Sequence, residues 1–169
     1  MKIFQGRIIE VEVETVELPN GSSLELEIVR HPGGAAVVAL DERMQVCLLR
    51  QFRPALGAWL WEIPAGKIDD DEPPFETARR ELAEEAGLAA GRWVELGSMV
   101  SSPGVFTERV HLYLARDLSA VPDTPHPAEI FELHWVPLHD AVERARSGAI
   151  TDAKSALALL RAAASLDIV

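Results

Sequence analysis

Hydrophobic and polar residues alternate along the first thirty positions and then give way to longer apolar runs. The stretch "RIIEVEVETVELPNGSSLELEIV" alternates apolar with acidic or polar residues and is interrupted by "PNG". A period of two predicts strands with one covered face, and this tripeptide is typical of the turn between them. The runs "GGAAVVAL" and "MQVCLLRQF" are almost continuously apolar, which indicates strands buried on both faces. The "DER" between these runs predicts a hairpin-like break.

The rest of the chain mixes strand and helix patterns. Shorter strands are expected in "AWLWEIP", "WVELGSMV", "RVHLYLAR" and "IFELHWVPL". Helices are expected from Pro73 to Ala86, from His139 to Ser147 and from Asp152 to Leu166. A polar, proline-rich loop is expected over Leu118–Ala128. Because no repeat or linker divides the chain, the pattern predicts one α+β domain over residues 1–169.

Composition and charge exclude several functional classes. The single cysteine, Cys47, excludes a disulfide within the chain and is typical of a reducing compartment. No apolar run is long enough to span a membrane, and "MKIFQGRIIE" does not resemble a secretory signal. The net charge of −11 disfavours nucleic acids and anionic membranes as partners. We therefore expect a cytoplasmic protein that binds neither.

The stretch "RRELAEEAG" places three glutamates on one short predicted helix. Glu81 and Glu85 lie four residues apart at the edge of its apolar stripe, and such a like-charge pair costs about 0.2–0.5 kcal/mol. Arg80 can pair with Glu84, which would leave the other two carboxylates uncompensated. A solvated acidic face is the ordinary alternative, but a hard cation such as Mg²⁺ would relieve the repulsion. The stripe itself consists of Phe75, Ala78, Leu82 and Ala86.

A wider spacing surrounds this helix. Gly66 is followed by five residues, then Glu72, then seven residues, then "RELAEEAGL". The whole stretch "GKIDDDEPPFETARRELAEEAGL" resembles the Nudix box at every fixed position, and the chain is identified as a member of the Nudix hydrolase superfamily. The resemblance implies the Nudix fold, a mixed β-sheet sandwiched between helices. An antiparallel N-terminal β region at residues 1–32 would precede a core at residues 33–169. The implied chemistry is metal-assisted attack of water on phosphorus.

Segments outside the box resemble the ADP-ribose pyrophosphatase branch. They include "LLRQFRP", "WEIPAGK", "SPGVFTER" and "GAITDAKSALALL", and Pro103 lies sixteen residues after Gly87, as in that branch. This likeness implies hydrolysis of ADP-ribose to AMP and ribose 5-phosphate with Mg²⁺, for which Mn²⁺ can substitute. The alternatives are another nucleoside diphosphate sugar such as GDP-mannose, or a sensor that binds ADP-ribose without cleaving it. The resemblance also implies a homodimer, which the N-terminal hairpin could join by crossing to a partner.

The resemblance assigns roles to individual residues. Glu72 and Arg80 would orient loop and helix through an ion pair. Arg53 would bind phosphate, because a guanidinium forks onto phosphate oxygens, and Glu108 would hold the terminal ribose. Glu129 is the first candidate for the general base, and Glu132, inside a strand pattern, is the second. The metal ligands would be Glu81, Glu85, Glu84 and the carbonyl of Ala65.

Overall fold

The structure is a computed structural model that describes residues 1–69, 71–122 and 130–168. Its strands are β1 (Lys2–Gln5), β2 (Glu10–Glu17), β3 (Ser23–Arg30), β4 (Gly34–Ala39), β5 (Gln45–Arg53), β6 (Ala58–Glu62), β7 (Ala65–Lys67), β8 (Leu88–Val100), β9 (Arg109–Ala120) and β10 (Phe131–Pro137). Its helices are α1 (Pro74–Ala86), α2 (Leu138–Ser147) and α3 (Ala153–Ser165). The predicted α+β class is confirmed.

The N-terminal strands β1, β2 and β3 form an antiparallel sheet in that order. The predicted turn joins β2 to β3, where Gly21 has a φ of 82° and the side chain of Asn20 accepts a bond of 3.1 Å from the backbone N–H of Ser22. A positive φ favours glycine, which explains the "PNG" signal. Strand β1 was not predicted, because four exposed residues are too few to establish a period.

The central sheet has the order β7-β4-β9-β8 and is mixed, because β4 runs parallel to β9 and antiparallel to β7. Every residue of β4 is buried, as its continuous apolar run predicts. Ala35, Val37 and Ala39 pack on the α1 side of the sheet, while Ala36 and Val38 belong to the core on the α3 side. The expected mixed sheet between helices is therefore present.

Strand β5 lies in a third sheet, of order β10-β5-β6. The break at "DER" is only briefly hairpin-like, since one bridge, Leu40 to Val46, joins the two sides before β4 and β5 enter different sheets. The loop expected from Leu118 begins later than predicted. Strand β9 continues to Ala120 because β8, longer than expected, starts at Leu88 and pairs with that residue.

The helices begin and end close to the predicted positions. Pro73 precedes α1, and Gly87 ends it in the left-handed conformation with a φ of 63°. Asp152 caps α3 by accepting a bond of 3.1 Å from the backbone N–H of Ser155. No helix in the described ranges is long and apolar enough to cross a membrane.

Candidate active site

Helix α1 directs two carboxylates against the short strand β7. A Cβ atom added to Gly66 would lie 1.9 Å from Oε1 of Glu81, so the carboxylate occupies the space that a side chain would need. The backbone N–H of Ala65 donates to Oε2 of Glu85 over 2.8 Å. Glu81 is 8% exposed and Glu85 4%. The sequence spacing thus brings both glutamates of the like-charge pair to one backbone segment.

Arg80 connects this helix to the preceding loop. Its Nε and Nη2 atoms donate to the two oxygens of Glu72 over 3.1 and 3.0 Å, which confirms the expected ion pair. These bonds hold the pKa of Glu72 down at about 2. Nη2 also donates to the carbonyl of Lys67 over 3.0 Å, so loop, strand and helix share one guanidinium.

The expectation that Arg80 would leave Glu81 uncompensated was wrong. Nη1 of Arg80 lies 2.5 Å from Oε1 of Glu81 as well as 3.2 Å from Glu84. A guanidinium has five N–H groups, so it can serve several carboxylates at once. Glu85, in turn, has the backbone of Ala65 as a donor. The repulsion between the two glutamates is therefore partly offset within the protein itself.

A cavity of about 430 Å³ opens beside Ala65 and Gly66. Arg53, Ala65 and Glu108, three residues singled out from sequence, all line it, and so do Asp152 and Lys154, which were not. We call Ala65 and Gly66, with Glu81 and Glu85 behind them, the carboxylate side of this cavity. We call Arg53 and Lys154 its cationic side. The volume is typical of sites for small ligands.

Arg53 has a buried partner that sequence reasoning missed. Its Nε and Nη2 atoms donate to the two oxygens of Glu62, each over 2.7 Å. The Glu62 side chain is 1% exposed, whereas that of Arg53 is 38% exposed. The pKa of Arg53 is raised because its charged form donates to this carboxylate. Neither local sequence nor strand register predicts the pair, since β5 and β6 lie side by side with Arg53 opposite Ala58 and Glu62 opposite Leu49.

Glu108 approaches the cavity beside His31. Oε1 of Glu108 lies 3.6 Å from Nδ1 of His31, and that nitrogen also accepts a bond of 3.0 Å from the N–H of Gly33. Burial lowers the pKa of His31, more than the neighbouring carboxylate raises it. The imidazole is therefore neutral at pH 7, with its proton on the other nitrogen.

The loop that carries Glu108 is bonded to the end of β3. The N–H of Val29 donates to the carbonyl of Val105 over 2.7 Å, and the N–H of Thr107 donates to the carbonyl of Val29 over 3.0 Å. The N–H of His31 donates to Oγ1 of Thr107 over 3.0 Å. The N-terminal sheet thus fixes one edge of the loop that reaches the cavity.

Comparison with known proteins agrees with this geometry. Residues 30–159 match the family model of the NUDIX domain. The chain belongs to the Nudix family. An ADP-ribose pyrophosphatase of Bacillus subtilis (strain 168) is 40% identical over 94% of this Nudix chain and 86% of the relative. A methanol dehydrogenase activator of Bacillus methanolicus is 38% identical over the same shares of the two chains. A solved structure described as an ADP compounds hydrolase has the same fold, with a TM-score of 0.83, 23% identity and 99% and 91% coverage.

Nudix pyrophosphatases generally need a divalent metal ion. The donors on the carboxylate side fit such an ion, because Glu81, Glu85 and the Ala65 backbone offer oxygens, which Mg²⁺ prefers. The missing Cβ of Gly66 leaves the Glu81 carboxylate room on this side. In the described part of the chain, no three His, Cys, Asp or Glu side chains are grouped as a complete metal site. Glu84, 38% exposed, pairs with Arg80.

Of the two candidate bases of this Nudix chain, the structure describes one, Glu132. Glu129 lies outside the described residues. Glu132 lies on β10 with a side chain that is 51% exposed, 3.6 Å from Arg50 and 3.3 Å from His134. Strand register places Glu132 opposite Arg50, at the surface of the third sheet. Glu132 therefore has partners of its own at the surface.

Proposed function

We propose that this Nudix protein hydrolyses the pyrophosphate of ADP-ribose to AMP and ribose 5-phosphate, with Mg²⁺ as its cofactor and Mn²⁺ able to substitute. The observation that carries the proposal is the convergence of Arg53, Ala65 and Glu108 on one cavity, with Glu81 and Glu85 directly behind it. The name of the Bacillus subtilis relative supports the choice of substrate. The loop "SPGVFTER" supports it as well, because it brings Glu108 to the cavity.

The proposed roles follow from the chemistry of each side chain. Glu81 and Glu85, with Glu84 and the Ala65 carbonyl, would hold the metal, which neutralises phosphate charge and lowers the pKa of bound water. Arg53 would donate to phosphate oxygens, and Glu62 leaves three of its five N–H groups for that contact. Glu108 would accept hydrogen bonds from the hydroxyls of the terminal ribose.

The substrate is tested by a side-by-side assay. Purified protein with Mg²⁺ is incubated with ADP-ribose, GDP-mannose or dATP, and the products are separated and identified. We expect AMP from ADP-ribose. Its specificity constant should be at least about 100-fold above that for dATP, which corresponds to a difference of about 2.7 kcal/mol in transition-state binding. A higher value for GDP-mannose would transfer the assignment to that sugar nucleotide. Binding of ADP-ribose without AMP formation would instead indicate a sensor.

The general base is a separate proposal. Glu81 has a part in catalysis as a metal ligand, and a coordinated carboxylate is a poor proton acceptor. Glu129 is the next available acid, and Glu132 already has Arg50 and His134 as neighbours. We expect Glu129→Gln to lower kcat far more than KM, and Glu132→Gln to change little. Steady-state kinetics on both variants checks this, and the reverse ranking would make Glu132 the base.

We also propose that the protein is a cytoplasmic homodimer without nucleic-acid or membrane partners. Several apolar side chains of the N-terminal region are exposed, and a second subunit would cover them. They are Ile3, Phe4, Ile8 and Leu24. Cys47 is buried, and burial raises its pKa to about 12, so the one thiol is suited to a reducing compartment rather than to reaction. Light scattering at micromolar concentration should give twice the chain mass.

A further inference from the structure

Glu62, at the end of β6, is a buried carboxylate with two cationic partners. Besides the fork from Arg53, it accepts a bond of 2.5 Å from Nζ of Lys154. Burial on its own would raise the pKa of Glu62, but the bonds from Arg53 and Lys154 outweigh it, so the pKa is lowered and the group is a carboxylate at pH 7. Removing one member of such a buried pair leaves an uncompensated charge.

Helix α3 holds Lys154 in this position. Nζ of Lys154 also lies 2.9 Å from Asp152, the residue that caps the helix. Oγ of Ser155 accepts a bond of 2.9 Å from the backbone N–H of Ile63, which directly follows Glu62. The first turn of α3 is thereby joined to the end of β6 through both backbone and side chain. The Lys154 side chain is 17% exposed, so it is held rather than free to sample rotamers.

Arg53 and Lys154 both line the cavity, and each has N–H groups that Glu62 does not use. Arg53 Nη2 and Lys154 Nζ bind the same oxygen of Glu62, so they lie side by side. An ammonium has three N–H groups, and the two carboxylates near Lys154 account for two of them. Glu62 and Asp152 balance the charges of the two cations, and the N–H groups that these carboxylates do not use can donate charge-assisted hydrogen bonds to an anion. An anionic ligand in the cavity would complete the arrangement.

We propose that Lys154 is a second cation that contacts the pyrophosphate of the substrate, beside Arg53, and that Glu62 is the positioning residue for both. The proposal rests on the proposed hydrolysis of a nucleoside diphosphate. It assigns a function to a lysine 101 positions after Arg53 in the chain, a distance over which no local motif could connect them. It also gives a reason for burying Glu62, since a fixed carboxylate orders two long, flexible side chains.

The simpler role for Lys154 would be as counter-ion to Glu62, and variants separate the two. Kinetics on ADP-ribose and calorimetric titration with inorganic pyrophosphate, both with Mg²⁺, would compare Lys154→Met, Lys154→Arg, Glu62→Gln and the double variant Glu62→Gln/Lys154→Met. Arg92→Gln, which removes a surface charge paired with Asp117, is the control. Thermal unfolding of each variant reports on stability.

We expect Lys154→Met to raise KM and weaken pyrophosphate binding about tenfold with a smaller change in kcat, as loss of one charge-assisted contact would. Lys154→Arg should restore most of the affinity. The decisive step is Lys154→Met in the Glu62→Gln background. There the counter-ion role toward Glu62 has already gone, and the comparison of unfolding temperatures accounts for the lost pair with Asp152, so a further rise in KM supports substrate contact, while an unchanged KM overturns it. If the wild type does not cleave ADP-ribose, the proposed function fails, and the pyrophosphate titration still decides the role of Lys154.

Discussion

The two sides of the cavity present opposite charges by different structural means. On the carboxylate side, Glu81 and Glu85 come from one helix face, and Ala65, the donor to Glu85, lies 20 positions away in the chain. On the cationic side, Arg53 and Lys154 come from a strand and a helix, and they meet at Glu62, which is 92 positions from Lys154. A change on the carboxylate side should therefore affect the chemistry first, whereas one on the cationic side also disturbs a buried ion network.

The largest effect should come from the carboxylate side. We expect Glu85→Gln to lower kcat by about 10³-fold, because a ligand to the metal would be lost and the metal supplies several kcal/mol of transition-state stabilisation. The fold should survive, since an amide oxygen can still accept the 2.8 Å bond from Ala65. Activity over a range of Mg²⁺ concentrations checks this.

Glu76→Gln is the matched control for that variant, because Glu76 lies on the same helix with a side chain that is 49% exposed and paired with Arg79. It should retain wild-type kinetics. Near-normal turnover of Glu85→Gln in saturating Mg²⁺ would show that the metal assignment is wrong. If Arg53→Gln lowered kcat as strongly as Glu85→Gln and left KM unchanged, the expected difference between the carboxylate side and the cationic side would be wrong.

A smaller effect is expected from Gly66→Ala. The new Cβ would lie 1.9 Å from Oε1 of Glu81, so the carboxylate, at the far end of a flexible side chain, has to move. We expect kcat to fall about 30-fold, while the melting temperature changes little, because misplacement of a catalytic group costs rate more than stability. Gly91→Ala is the control, since its Cβ would make only an ordinary 3.4 Å contact with Asp117. A large drop in melting temperature with normal activity would contradict this account.

The smallest effect concerns stability against pH. The folded-state pKa of Glu72 is about 2, below its ordinary 4.5, because of Arg80. A depressed carboxyl pKa contributes stability that is complete above the unfolded value and is lost as the pH falls through the folded value. Glu72→Gln should therefore lower the melting temperature at pH 6, and the difference from wild type should narrow at pH 3. A difference that stays constant with pH would exclude the ion pair as its source.

The parts of this molecule that could be predicted from sequence are those with short-range causes. The apolar stripe of α1 is buried as expected, and its glutamates reach the strand that starts at Ala65, because helix period and loop length fix their positions. Strand β4 was predicted with its burial, since a short, continuous apolar run between turn residues is typical of a strand covered on both faces. The Arg80–Glu72 pair, implied by the family resemblance, joins residues only eight positions apart.

The remainder depends on tertiary pairing. Strand β7 has only three residues, too few for a pattern, and exists because β4 supplies its partner. The extension of β9 to Ala120 depends on its register with β8. Glu62 looks like any glutamate at the end of a strand, and its burial with Arg53 and Lys154 arises only when α3 packs near β6. Such contacts join residues that no local period relates.

The bonds between Val29 and the loop at Val105 and Thr107 set a lower limit on how far this protein can be shortened. A truncated version starting at Pro32 would retain every residue proposed to bind metal, phosphate or sugar. It would nevertheless leave the N–H of Thr107 and the carbonyl of Val105 without their backbone partners. The end of β3 therefore positions the loop that bears Glu108, and we expect a catalytic fragment to need this strand.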